Sequence, residues 1–153
     1  MELLPSLGVY VLSFFVIGLY WMVHHRYVHL LKVVNGKILW VNLLWLLFVS
    51  VIPFPTSLVG QYPLQVLPIV IYGTNLILAN LSGLTVLVYV HFHPELLHQP
   101  ITAEQVRKLL PRYVVTNGLY GVAIALAWWA PVASYVIYVL VLLGLIRLHL
   151  RDR

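Results

Sequence analysis

Seven histidines gather at the ends of apolar stretches in this sequence: His24, His25 and His29 after one, His91, His93 and His98 after another, and His149 near the C-terminus. A neutral imidazole can ligate a haem iron or share a proton with a neighbour. Bis-histidine haem ligation is therefore one chemistry open to the two triplets. Hydrogen bonding to lipid heads and adjoining helices is the plainer one. Trp21, His24 and His25 share a helical face at i, i+3 and i+4, which sets that group apart. A second set of polar side chains lies inside apolar sequence. Asn42 stands alone, Asn75 shares a face with Tyr72, Ala79 and Ser82, Asn80 with Gly73 and Gly83, and Asn117 with Gly121 and Ala125. Such amides either bond helix to helix, at about 0.6 kcal/mol each within a membrane, or stand beside a pore.

What is missing narrows the chemistry. The only acidic residues are Glu2, Glu95, Glu104 and Asp152, none of them inside an apolar run. A pump that relays protons or holds cations on intramembrane carboxylates has nothing to work with. Paired carboxylates for hydrolysis are absent, no glycine-rich phosphate loop follows a strand, and there is no cysteine for a thiolate metal site or nucleophile. We therefore expect no catalytic residues, no metal centre and no enzyme.

The elements that must position these side chains follow from charge. All nine lysines and arginines fall in three clusters: Arg26, Lys32 and Lys37; Arg107, Lys108 and Arg112; Arg147, Arg151 and Arg153. Residues 38–94 carry no formal charge, and neither do 113–146. At ~1.5 Å rise per residue, about 20 residues cross a ~30 Å hydrocarbon core. The first stretch suits two crossings, the second a tight hairpin divided at Ala130-Pro131, and Leu7 to His24 supplies one more. The reading is an all-α, polytopic membrane protein with a single domain over 1–153 and spans near 7–28, 38–54, 64–92, 104–129 and 131–150. The basic clusters all lie on one face, which the positive-inside rule makes cytoplasmic, C-terminus included.

Composition agrees, with 62 % hydrophobic and 8 % charged residues. The net charge of +5 then reports topology and attraction to the lipid bilayer, so no nucleic-acid partner is expected. The run Pro53-Phe54-Pro55-Thr56 through Gly60-Gln61-Tyr62-Pro63 reads as an outer turn. Tyr10, Tyr62, Trp128 and Trp129 would anchor the outer interface, and Tyr20, Trp21, Tyr27 and Trp40 the inner one. Thr102-x-x-Gln105 has the form of a capping box that starts a helix at Ala103, with Pro111 kinking it further on.

The run Ser13-Phe14-Phe15-Val16-Ile17-Gly18-Leu19-Tyr20-Trp21-Met22-Val23-His24-His25-Arg26 resembles the second helix of the transmembrane protein 175 family, the bacterial and lysosomal potassium channels. The stretch Leu39-Trp40-Val41-Asn42-Leu43-Leu44-Trp45-Leu46-Leu47-Phe48, ending in Ile52-Pro53-Phe54-Pro55-Thr56, resembles the third. Tyr72-Gly73-Thr74-Asn75-Leu76 resembles the start of the fourth. The likeness covers roughly residues 12–90, and residues 100–153 match only in hydropathy and topology.

The resemblance implies a cation channel subunit with potassium as the permeant ion and no cofactor. It also implies a homo-oligomer, a tetramer of six-helix units, in a bacterial plasma membrane. In the family the first helix carries an Arg-x-x-x-Phe-Ser-Asp motif and lines the pore, and that motif does not occur in these 153 residues. The sequence thus reads as a six-helix unit without its first helix, one that alone conducts poorly or not at all. By the same resemblance, Trp21, His24, His25 and Asn42 form a polar network that supports the motif. Asn75, Asn80 and Asn117 are candidates for helix packing or for positions beside the pore. Two alternatives stay open: a membrane interaction or assembly protein without transport, and a bis-histidine haem-binding membrane protein.

Overall fold

Apolar runs free of helix breakers fold as helices wherever their backbone groups cannot reach water. The computed structural model describes residues 3–151, and its helices are α1 (Leu3–Val28), α2 (Gly36–Val51), α3 (Pro53–Gln61), α4 (Val66–Phe92), α5 (Ala103–Leu126) and α6 (Pro131–Arg151), with a 3₁₀ turn at Pro94–Leu96. Glu2, Asp152 and Arg153 lie outside the described residues, as do the side chains of His149 and Arg151.

Four segments among the described residues are long and apolar enough to cross a membrane: Gly36–Gln61, Val66–Phe92, Ala103–Leu126 and Pro131–Leu148. The 26 residues of α1 give ~39 Å of helix, enough length to cross as well, although its last turns carry the polar His24, His25 and Arg26. The chain is an all-α, multi-pass membrane protein.

The proline-rich segment expected as a turn is instead the helix α3. Pro53 and Pro55 stand in its first turn, where a missing N–H costs nothing because no carbonyl waits for it. Ile52 keeps helical dihedrals at the junction, with φ −47° and ψ −41°. Its carbonyl accepts from the Thr56 backbone N–H at 3.1 Å and from the Thr56 hydroxyl at 2.7 Å. Ile52 itself is fully buried. Proline there offsets the chain by a broken turn and lets α3 pack on α1 and α4.

The two loops at the basic end are stitched together. Lys32 N–H donates to the Leu96 carbonyl at 2.8 Å, and His98 N–H donates to the Leu30 carbonyl at 3.0 Å. At the opposite end the Tyr135 hydroxyl donates to the Pro63 carbonyl at 2.6 Å, tying the α3–α4 connection to the start of α6. Helices alternate in direction between these two ends, so Arg26, Lys32, Lys37, Arg107, Lys108, Arg112 and Arg147 all belong to one of them. At that end the Thr102 hydroxyl accepts from Gln105 N–H at 3.2 Å while the Gln105 side chain accepts from Thr102 N–H at 2.8 Å, so the expected capping box starts α5. Pro111 is accommodated inside α5.

Large apolar side chains such as Trp40, Leu67, Phe92 and Trp129 point outward, as lipid demands, while the core mixes large apolar residues such as Trp45, Ile52 and Ile69 with small and polar ones. Ser13, Ala79, Ala123, Ala127 and Ser134 are at most 1 % exposed, which brings backbones close where dispersion rather than water must hold them. The central helix α4 packs against α2, α3, α5 and α6. Gly73 on α4 shows why: a Cβ there would meet the Tyr138 hydroxyl and come 2.7 Å from Ile124. The Tyr138 hydroxyl uses that space to donate to the Ile69 carbonyl at 3.0 Å.

Candidate functional site

Helix α1 carries two stripes. Ser13, Val16, Tyr20, His24 and Tyr27 recur at helical spacing and turn inward; Trp21 and His25 turn outward, and His29, in the turn just beyond α1, continues their four-residue spacing. The inward stripe meets α2 at one polar point. His24 Nε2–H donates to Asn42 Oδ1 at 2.5 Å, and the imidazole lies flat on Trp45, with ring centroids 4.4 Å apart at 12°. Trp45 follows Asn42 by three residues, so one face of α2 presents both the acceptor and the platform.

This pair borders a cavity of about 380 Å³ between α1 and helices α4 to α6. Apolar side chains form most of its wall, with Asn80, Tyr113 and Tyr120 as polar members and Arg26 and Arg112 towards the basic end. Asn80 Nδ2 and the Tyr27 hydroxyl, both in that wall, are buried without a hydrogen-bond partner. Buried polar groups with unmet capacity are costly in a low-dielectric interior, so such a wall suits a polar guest. Among the described residues no carboxylate lines it: Glu104 is exposed, 2.7 Å from Lys108.

The structure treats the residues named above unequally. It joins His24 to Asn42 and sends Trp21 and His25 to the outward face, where they stack at 4.8 Å and 15°. Neither of those two lines the cavity. Asn75 bridges α4 to α2, its Nδ2 donating to the Phe48 carbonyl at 3.0 Å. Asn117 turns back on its own helix, donating to the Tyr113 carbonyl at 3.0 Å, while its Oδ1 is buried without a partner. His93, the residue that caps α4, turns back on that helix, its Nδ1 donating to the Tyr89 carbonyl at 2.9 Å.

Tyr20, expected at the inner interface, packs instead against the core beside Trp45 at 6.2 Å. It is an i−4 neighbour of His24, so once α1 turns His24 inward Tyr20 must follow. Trp45 and the tyrosines 113, 120 and 138 are cavity residues that the sequence did not single out. The Asn42–Trp45 spacing was the one legible signal for them.

Among the described residues no group of three or more His, Cys, Asp or Glu could hold a metal ion.

The sequence model of the family described as "Endosomal/lysosomal potassium channel TMEM175" matches residues 1–53. A potassium channel of Chryseobacterium sp. (strain P1-3) is 36 % identical over 80 residues, which are 52 % of this chain and 42 % of that protein. A potassium channel of Streptomyces collinus is 38 % identical over 58 residues, 38 % of this chain and 28 % of its own. The endosomal/lysosomal proton channel TMEM175 of Gallus gallus is 25 % identical over 122 residues, 80 % of this chain and 24 % of that protein. A match of 122 residues cannot fit within 12–90, so likeness extends beyond the stretch expected from motifs alone. The aligned parts span less than half of each of these relatives. Over helices α1 and α2, then, this chain is similar to the family described as "Endosomal/lysosomal potassium channel TMEM175".

Proposed function

We propose that this chain is the supporting scaffold of a cation-channel subunit, with potassium as the permeant ion and no cofactor. Four units surround a central pore in a bacterial plasma membrane, with the C-terminus cytoplasmic. The single observation that carries the reading is the His24–Asn42 pair: a polar contact between two apolar helices, seated on Trp45 and bordering a cavity. Ordinary helix packing is served more cheaply by the side chain-to-carbonyl bonds that Asn75 and Ser134 make. A histidine–amide pair is better suited to hold a further polar group of a pore-lining segment, since both partners can donate and accept. The kinship with proteins named potassium channels supports the same reading.

These 153 residues contain no Arg-x-x-x-Phe-Ser-Asp run, so the pore-lining element is taken to be a separate helix. Potassium flux from liposomes tests this. The chain alone is expected to give little flux. A family-like helix carrying that motif, fused at the N-terminus or added as a peptide, is expected to raise it. Robust potassium-selective flux from the unmodified chain would overturn the scaffold reading and move the pore to α5, where Asn117 and Gly121 lie.

A further inference from the structure

We propose that His25, on the outward face of α1, and His29, in the turn that directly follows α1, form a two-histidine site for a divalent transition-metal ion. Their Nε2 atoms stand 3.1 Å apart, with the rings nearly perpendicular at 88° and their centroids 4.4 Å apart. A metal that holds two imidazole nitrogens at ~2.0–2.1 Å in adjacent positions places them about 2.9–3.4 Å from each other. The two nitrogens therefore already stand at ligating separation. One proton shared between them fills the gap, and a bound ion would displace it.

The helix makes this geometry. Residues at i and i+4 sit one above the other, and the His29 N–H still donates to the His25 carbonyl at 3.3 Å, so the last turn is intact around the pair. Trp21, one turn earlier, stacks on His25 and restrains its ring. Both histidines are exposed and stand beside Arg26 and Lys32 at the basic end of the helices, so an ion reaches them from the aqueous side and water completes its coordination. Imidazole donors with water select copper, nickel and zinc over magnesium or calcium, which prefer oxygen. The site is separate from the His24–Asn42 pair, which faces the cavity on the opposite side of α1.

The test uses the full chain without a polyhistidine tag, in detergent micelles. It combines equilibrium dialysis against Cu²⁺ or Ni²⁺ with tryptophan emission. One ion per chain is expected, Cu²⁺ binding tighter than Ni²⁺, with partial quenching of emission from Trp21. His25→Ala and His29→Ala are each expected to weaken binding by about tenfold or more, because losing a ligand costs at least what losing a ligand's hydrogen-bond partner does. His98→Ala should leave binding unchanged. Trp21→Phe should abolish most of the quenching and keep the ion. Far-UV circular dichroism checks that the variants remain helical. Binding equally tight in wild type, His25→Ala and His29→Ala, or no saturable binding in wild type, would overturn the proposal.

Discussion

His24 and Asn42, 18 residues apart and on different helices, meet in a hydrogen bond of 2.5 Å with Trp45 stacked beneath the imidazole. The bond joins two helices that otherwise touch sparingly, because α1 packs mainly on α3 and α2 mainly on α4. A double-mutant cycle of His24→Phe and Asn42→Leu is expected to give a coupling energy of about 0.6–1.7 kcal/mol, the range for interhelical polar pairs in membranes. Denaturation in mixed micelles measures it. Additivity of the two single changes would mean that the pair contributes nothing beyond packing.

Asn42 and Asn80 should behave in opposite ways. Asn42→Leu removes an acceptor and strands a half-buried imidazole, so it should destabilise and should abolish most of the flux gained from an added pore helix. Asn80 Nδ2 has no partner, so Asn80→Leu deletes an unmet donor and is expected to be neutral or mildly stabilising. Flux and thermal stability of the two variants, compared side by side, decide between these roles. Equal losses in both would count against the scaffold reading.

Gly73 should tolerate no larger residue. Gly73→Ala forces a methyl group against Tyr138 and Ile124 and is expected to cost about 1–3 kcal/mol, as overpacking does. Gly118→Ala and Gly121→Ala meet nothing within 4 Å and should be tolerated. A thermal melt that ranks the three variants otherwise would show that α4 and α6 do not pack as closely as described.

Topology can be read by labelling, since the chain has no cysteine to interfere. Single cysteines at Lys32, Arg107 and Arg147 are expected to react from one side of the membrane, and one at Trp129 from the other. The backbone pairing of residues 30–33 with residues 96–98 requires the first two of these to agree. Reaction of Arg107→Cys and Arg147→Cys from opposite sides would break the alternating arrangement.

Thr102→Ala removes the side chain that caps α5 and is expected to cost about 1 kcal/mol. The loss should appear as faster amide exchange over residues 103–106, with the spans unchanged. Exchange spread evenly through α5 would mean that its start is held by packing instead.

What the sequence determined by itself was local in origin. Runs without charge become helices because lipid leaves their backbone groups no other partner. Basic clusters mark one end, and Thr102 with Gln105 marks the start of α5 through contacts three residues apart. The rotation of each helix is another matter. His24 and His25 are adjacent, both reach Trp21 at i+3 and i+4, and both could have faced Asn42. Packing of α1 against α3 turned Ser13, Val16, Tyr20 and His24 inward together and left Trp21, His25 and His29 outside. The segment from Pro53 was equally undecided, since prolines can end one helix or begin the next. Burial of Ile52, Pro55 and Thr56 against neighbouring helices made it a beginning. Periodicity along a chain says which residues share a face, but in a membrane both faces are apolar. Only the neighbouring helices can therefore select which face is buried.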